Sequence, residues 1–217
     1  MKKIILLISI CFLITACGGI KDESKPSDGK WEVVLAEKQI NFDEEELSVF
    51  NSAIENYYYM ELEPVALLGK QEAIGTNYMF LVKGDKTSYK VVVVNEDFEG
   101  NTAITHLSDL DFTEYTNDKN ITNDLTTTMD KWVVSSPDNI NAINDEKISS
   151  TLAESSYIPI AIVGKKISLG TTYAVLCYGK SSPESIDDAI YLVTVYENTN
   201  GNQEIISQVY IDINEFN

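Results

Sequence analysis

The sequence contains no arginine: its sixteen basic residues are all lysines, against 34 aspartates and glutamates, and the formal net charge is −18. Nucleic acids and phosphate groups are recognised through positive surfaces and guanidinium forks. The composition therefore argues against nucleic acid as a partner. Anionic lipid headgroups also repel a polyanion, so we expect any attachment to a membrane to be covalent. A charge excess of this kind is typical of an exposed, soluble protein.

Histidine and cysteine are scarce as well. The chain has one histidine, His106, and three cysteines, Cys11, Cys17 and Cys177. Zinc-ligand spacings such as His-Glu-x-x-His or Cys-x-x-Cys cannot be written from this set. Acidic residues are numerous, but no pair stands out as catalytic, and no glycine-rich phosphate loop precedes a helix. We therefore predict a protein without catalytic residues, metal site or cofactor, with calcium binding at the 95–101 loop, which lacks the ligand spacing of a known calcium loop, as the alternative. Cys177 is expected to be a small residue of the core.

The first sixteen residues are typical of a secretory signal peptide. Lys2 and Lys3 precede an apolar run, 4–14, that is too short to span a membrane as a stable helix. The run ends in Thr-Ala-Cys-Gly around Cys17, which resembles the signal of bacterial lipoproteins. In that class the cysteine is acylated and becomes the new N-terminus. The resemblance implies that Cys17 is the lipid-attachment residue, that its acyl chains hold the protein on the bilayer, and that the folded part is extracytoplasmic in a bacterial cell envelope.

A stretch of the chain occurs twice. Residues 64–84 read PVALLGKQEAIGTNYMFLVKG and residues 159–179 read PIAIVGKKISLGTTYAVLCYG, with nine identities in twenty-one positions at a constant offset of 95. Trp31 and Trp132 extend the match towards the N-terminus at an offset of 101. Such self-similarity indicates a tandem duplication.

The repeat and the composition predict the domain organisation. A polar segment with little apolar content separates the two copies and is the expected boundary. Each copy has about 100 residues, which is enough for a hydrophobic core. The predicted segments are a signal peptide at 1–16, a lipid-anchored tether at 17–29, a first unit at 30–115, a linker at 116–130 and a second unit at 131–217.

Local patterns predict the elements of each unit. In the first unit, Asp43 and Glu46 have the spacing of a capping box that begins a helix. Strands are expected at 31–35, 65–68, 76–82, 89–94 and 102–110, where β-branched and aromatic residues lie between turn residues. Short turns between consecutive strands mean antiparallel pairing. The predicted fold class is α+β, with one helix packed on a curved antiparallel sheet in each unit.

The segment Gln-Glu-Ala-Ile-Gly-Thr-Asn-Tyr at 71–78 resembles the first hairpin of the cystatins, in which Gln-x-Val-x-Gly precedes Thr-Asn-Tyr. One helix followed by four antiparallel strands is also the cystatin order. The resemblance implies two tandem cystatin-like units. In that family the hairpin, an N-terminal trunk and a second loop bearing Pro-Trp form a wedge that enters the cleft of papain-like cysteine proteases.

The sequence departs from that motif at several positions. Ala73 replaces the valine, the second unit lacks the glutamine, and the expected second loops, 96–101 and 197–202, contain no Pro-Trp. A glycine at these turns is also explained by a bend in the strand. The candidate interaction hairpins are Gln71, Glu72, Ala73, Ile74, Gly75 in the first unit and Lys166, Ile167, Ser168, Leu169, Gly170 in the second.

These observations favour a non-enzymatic surface lipoprotein that presents two such units to a protein or peptide partner. The cystatin-like hairpin makes inhibition of papain-like cysteine proteases an alternative. A receptor that binds a carbohydrate or small ligand on exposed tyrosines is a third possibility. Fold alone does not decide among them, since unrelated functions share folds.

Overall fold

The computed structural model describes residues 29–34, 42–55, 57, 61–84, 89–116, 121–122, 130–134, 146–180 and 188–216. The predicted signal peptide, Cys17 and nearly all of the predicted tether lie outside these residues, as does most of the predicted linker. No helix among the described residues is long and apolar enough to cross a membrane.

In the first half of the chain, the described residues form five strands and an α-helix. They are β1 (Glu32–Val33), α1 (Glu44–Ile54), β2 (Glu63–Ala73), β3 (Gly75–Lys83), β4 (Tyr89–Glu96) and β5 (Thr102–Asp109), followed by a 3₁₀ helix at Phe112–Tyr115. The strands form sheet 1 in the order β1-β2-β3-β4-β5. Every neighbouring pair in this sheet is antiparallel.

The second half repeats this order after one additional strand. Its elements are β6 (Ile121–Thr122), β7 (Trp132–Val134), α2 (Glu146–Ala153), β8 (Ile158–Ile167), β9 (Gly170–Lys180), β10 (Asp188–Asn198), β11 (Gln203–Ile211) and a 3₁₀ helix at Ile213–Phe216. Sheet 2 has the order β11-β10-β9-β8-β7-β6. All its pairs are antiparallel except β6 with β7, which is parallel. The additional strand β6 lies inside the segment that the sequence assigns to the linker.

The described residues are mostly antiparallel sheet, with two α-helices, and the protein is of the α+β class as predicted. The strands expected at 65–68, 76–82 and 89–94 are present and are longer at one or both ends. The strand expected at 31–35 is shorter, with only Glu32–Val33 assigned, and residues from 35 to 41 lie outside the described part.

The capping box at the start of α1 is confirmed. The Asp43 carboxylate accepts hydrogen bonds of 2.9 Å from the backbone N–H groups of Glu45 and Glu46. The Glu46 carboxylate in turn accepts a 2.8 Å bond from the backbone N–H of Asp43. Two otherwise unpaired donors of the first turn are thereby satisfied. The helix then buries Phe50 and its neighbours Val49 and Ala53 against sheet 1.

Strand β3 is buried on both faces. Tyr78, Phe80 and Val82 pack against the α1 side of sheet 1. Met79 and Leu81 alternate with them and face the other side. A strand that is covered on both faces has a nearly continuous apolar sequence instead of an alternation of apolar and polar residues. Residues 78–82 have such a sequence.

The apolar side chains form three clusters, which define four layers in the order helix, sheet, sheet, helix. One cluster lies between α1 and sheet 1, and another lies between α2 and sheet 2. The third and largest lies between the two sheets and takes side chains from both halves of the chain. Its members include Ala66, Leu68, Met79, Leu81, Val91, Ile160, Val163, Ala174, Leu176, Tyr178 and Leu192.

Each half also places a residue that follows its last strand onto a glycine of the other half. The ring of Phe112 lies over Gly164, where an added Cβ would meet the ring at 2.3 Å. Ile213 lies over Gly69 in the same way, with its Cδ1 2.9 Å from the position of an added Cβ. Gly69 and Gly164 are partners in the sequence repeat, so the two halves contact each other reciprocally.

These contacts show which parts of the two sheets lie close to each other. We call the turns 73–75 and 97–101 the tips of sheet 1, and the turns 167–170 and 198–202 the tips of sheet 2. Phe112 follows the end of sheet 1 opposite its tips, yet it packs in the tip half of β8. Ile213 follows the end of sheet 2 opposite its tips and packs on Gly69, in the middle part of β2. The Phe112 ring also contacts the ring of Trp132, which pairs with Lys166, so the tips of sheet 2 lie near the end of sheet 1 that is opposite its own tips.

Candidate interaction surface at the hairpin tips

The turn between β2 and β3 carries an exposed apolar side chain on a constrained backbone. Ile74 is 82% exposed. Gly75 has φ +88°, and an added Cβ would lie 2.1 Å from the Glu96 carbonyl oxygen. Only glycine fits both the conformation and the space. Close packing of the turn on β4 thus explains this glycine without reference to a partner.

A row of amide side chains supports this turn from beneath. The Gln71 side chain donates a hydrogen bond to the Gly29 carbonyl oxygen and accepts one of 2.7 Å from the Asn77 amide. The Asn95 amide donates to the Asn77 side chain at 2.8 Å and lies 3.4 Å from the Ile74 carbonyl oxygen. Gln71, a predicted contact residue, therefore ties the N-terminal segment to the hairpin.

The turn between β4 and β5 forms the second tip of sheet 1. The Asp97 carboxylate accepts a 2.9 Å bond from the Asn101 side-chain amide, and bonds of 2.9 Å and 2.8 Å from the backbone N–H groups of Asn101 and Glu99. These bonds to the charged form hold the pKa of Asp97 below its usual value. The turn presents Phe98, which is 83% exposed. Ile74 and Phe98 thus project from the same end of sheet 1.

This end of sheet 1 is acidic. Glu72, Glu96, Asp97 and Glu99 lie in or beside the two turns. The Tyr78 hydroxyl donates a 3.2 Å hydrogen bond to Glu96. Burial, with the negative charge of Glu96 as the second cause, raises the pKa of Tyr78 to about 12. The apolar tips of sheet 1 are therefore bordered by carboxylates.

The tip between β8 and β9 presents the other predicted hairpin. Leu169 is 86% exposed and Ile167 is 41% exposed. Ser168 closes the turn with a 3.0 Å bond from its N–H to the Gly170 carbonyl oxygen. An added Cβ on Gly170 would lie 2.3 Å from the Glu197 carbonyl oxygen, which matches the close approach of Gly75 to Glu96 in sheet 1.

The charge around the tips of sheet 2 differs from that around the tips of sheet 1. Lys165 is exposed, its ammonium lies 5.8 Å from the centre of the Tyr173 ring, and Lys166 is half-buried beside it. In the adjacent turn, Asn198 takes the place of Asp97 and accepts bonds of 2.9 Å and 3.0 Å from the N–H groups of Asn200 and Asn202. The tips of the two sheets thus share a geometry, and those of sheet 2 carry two lysines beside the acidic residues Asp130 and Glu197.

A shallow polar groove of about 530 Å³ runs beside the turn 198–202. Thr151 and Gln203 cross it with a hydrogen bond of 3.1 Å. Its lining also includes Lys147, Ser150, Gly201 and Asn202. The groove has few apolar walls, which a small-molecule pocket ordinarily provides.

The tyrosines form an aromatic row at the far end of sheet 2. The rings of Tyr157 and Tyr191 lie 5.5 Å apart, and those of Tyr191 and Tyr210 lie 6.0 Å apart, each pair at a steep angle. Tyr210 is the exposed member. Edge-to-face contacts of this kind stabilise packing.

Three side chains of types that often act in catalysis, those of His106, Cys177 and Asp111, lie in or next to strands. His106 is half-buried in β5 opposite Val93. Cys177 is fully buried, and burial raises the pKa of its thiol. The Asp111 carboxylate caps the 3₁₀ helix at Thr113. Within the described residues no three histidine, cysteine, aspartate or glutamate side chains are grouped so as to hold a metal ion.

Phe98 and Gly29 are parts of this surface that the sequence did not single out. An exposed phenylalanine inside a polar turn was the available signal for Phe98. No sequence signal links Gly29 to Gln71, because their contact depends on the pairing of β1 with β2. Comparison of the chain with protein families, with curated proteins and with solved structures finds no match.

Proposed function

We propose that the protein is a lipid-anchored, extracytoplasmic, non-enzymatic binding module that uses its hairpin tips to dock a protein or peptide partner. The observation that carries this proposal is the exposure of Ile74, Phe98 and Leu169 on turns held by close backbone packing. Removing each such side chain from water on binding contributes about 1.5–3 kcal/mol. Turns that are already ordered lose little further conformational entropy on binding.

The element order supports the idea of two cystatin-like units. Each half has a short strand, a helix and four antiparallel strands that neighbour one another in chain order. The cystatin resemblance at 71–78 predicts this same order. Contact between the two sheets gives such units a common body from which two sets of tips project.

Site-specific photo-crosslinking tests the binding role of the tips. A benzophenone amino acid would replace Phe98, Leu169 or, as the control, Tyr210, which is 53% exposed but lies away from the tips. In intact cells we expect discrete protein adducts from positions 98 or 169 and none from position 210. Equal adducts from all three positions, or adducts from none, would contradict the proposal.

The lipid anchor has a separate test. Metabolic labelling with an acyl-chain precursor should tag the wild-type protein and leave Cys17→Ala untagged. Equal labelling of the two would remove the anchor from the proposal while leaving the role of the tips open to the crosslinking experiment.

Inhibition of papain-like cysteine proteases is the second candidate, and one contact favours it. Gly29, the 71–75 turn and the Phe98 turn lie at one end of sheet 1, the arrangement that the cystatin resemblance implies for a trunk and two loops. Titration of papain with the soluble protein should reduce protease activity for the wild type and less so for Phe98→Ala. Unchanged activity at micromolar protein would end this candidate.

A further inference from the structure

The N-terminal segment enters the fold at the tips of sheet 1. Strand β1 runs antiparallel to β2, with Glu32 opposite Lys70 and Val33 opposite Gly69. Moving from β1 towards the N-terminus therefore means moving along β2 towards its tip. The contact between Gln71 and the Gly29 carbonyl oxygen continues this path beyond β1.

The length of chain between this point and Cys17 limits where the anchor can lie. Eleven residues separate Cys17 from Gly29. No chain of that length spans more than about 40 Å, and a flexible one averages about 20 Å. Strand β2 alone, with eleven residues, is about 36 Å long. The mean reach of such a tether is thus shorter than the body of the protein.

We propose that in the anchored protein the tips of sheet 1 face the lipid bilayer and the tips of sheet 2 point away from it. This inference rests on the proposed anchor and adds an orientation to the proposed function. The N-terminal segment leaves the fold at the tips of sheet 1, whereas the tips of sheet 2 lie near the opposite end of sheet 1, so the tips of sheet 1 are the nearer to Cys17. Ile167 and Leu169 are then the apolar residues that a partner arriving from solution meets first.

The charge of the tips fits this orientation without insertion into the bilayer. Glu72, Glu96, Asp97 and Glu99 border Ile74 and Phe98, and anionic headgroups repel them within about a Debye length of the surface. The tips of sheet 1 consequently stand off the membrane at a distance that the chain between Cys17 and Gly29 allows. The tips of sheet 2 carry Lys165 and Lys166 beside Asp130 and Glu197, so their described residues are less acidic.

Energy transfer to labelled lipid tests the orientation in the lipidated full-length protein. A donor dye would be attached to a single cysteine introduced as Ile74→Cys, Phe98→Cys or Leu169→Cys, and the protein reconstituted in vesicles with acceptor-labelled lipid. Acylation blocks Cys17, and Cys177 is fully buried, so labelling is specific. We expect transfer from positions 74 and 98 to be several-fold greater than transfer from position 169.

Matched controls separate the orientation from the anchor. The three sites are exposed turn positions, so denaturant unfolding should show unchanged stability for each variant. The same labelled variants carrying Cys17→Ser, mixed with the vesicles, should give no transfer. Vesicle-bound protein with equal transfer from all three sites, or more from position 169, would overturn the orientation alone. Full-length protein that does not associate with vesicles would overturn the anchor together with the orientation.

Discussion

The Tyr178 hydroxyl donates a buried 2.7 Å hydrogen bond to the Leu67 carbonyl oxygen, which belongs to the other sheet and lies 111 residues away. The Tyr178 ring is itself part of the cluster between the sheets. The bond therefore joins the two halves across their apolar contact. A carbonyl oxygen in such a place has no access to water, so its hydrogen bond matters for stability.

Replacing Tyr178 by phenylalanine should lower the free energy of unfolding by about 0.5–2 kcal/mol, because Leu67 loses a buried donor. Denaturant unfolding followed by circular dichroism measures the change. Tyr210→Phe removes the hydroxyl of an exposed ring and should change stability by less than about 0.5 kcal/mol. Since the two halves share a core, we expect one unfolding transition. Equal stability of the two variants would contradict the role given to this bond.

The contact of Phe112 with Gly164 gives a second prediction. An added Cβ at Gly164 would lie 2.3 Å from Phe112 Cζ, so Gly164→Ala should destabilise the protein by about 1–3 kcal/mol through overpacking. Shortening the ring to leucine makes room for the methyl group. In a double-mutant cycle, the cost of Gly164→Ala should be smaller in the Phe112→Leu background by about 1 kcal/mol. Additive effects would show that the two residues do not press on each other.

The helix cap gives a third prediction. Asp43→Ala removes the carboxylate that accepts from Glu45 and Glu46 and should cost about 1 kcal/mol of stability. Ser48→Ala, in the exposed middle of α1, is the matched control, and it should be neutral or slightly stabilising because alanine has the higher helix propensity. A destabilisation by the control as large as that of Asp43→Ala would show that the cap is not the cause.

Features that depend on neighbours in sequence could be predicted, and features that depend on the stacking of the sheets could not. The capping box needs only residues 43 and 46, and the hairpin order follows from short turns. The contact of Phe112 with Gly164 joins residues that no local pattern connects. The repeat pointed to two units with separate cores. The central cluster is instead shared, because strands buried on both faces need a cover on the side opposite the helix.

At the candidate surface, too, local features could be predicted from the sequence and contacts between distant residues could not. The repeat located the turns at 71–75 and 166–170, which the structure places at the hairpin tips of two different sheets. The sequence did not reveal that the Gln71 side chain forms hydrogen bonds with Gly29 and Asn77. It also did not reveal that Phe98 projects from the same end of sheet 1 as Ile74. Both facts depend on pairing between β1, β2 and β4, which brings distant residues together.

Tyr89, in the cluster between the two sheets, should make the stability of the protein depend on pH. It is 4% exposed, and burial raises the pKa of its phenol above the usual value, to about 12. Between pH 10 and pH 12 the unfolded chain loses this proton while the folded protein keeps it, so the contribution of Tyr89 to stability is full well below pH 10 and is lost as the pH rises through about 12. Tyr89→Phe removes this dependence and should make the fall in stability shallower by up to about 1.4 kcal/mol per pH unit.

Tyr78, whose pKa is also raised to about 12, leaves a residual slope in the variant. Denaturant unfolding at several pH values measures both slopes. The buried thiol of Cys177, whose pKa is also raised, lowers the stability of both proteins equally from about pH 8 upwards, so the two curves should run parallel at pH 8 to 9 and diverge above pH 10. Identical slopes for the two proteins above pH 10 would show that the phenol of Tyr89 ionises as easily in the folded protein as in the unfolded chain.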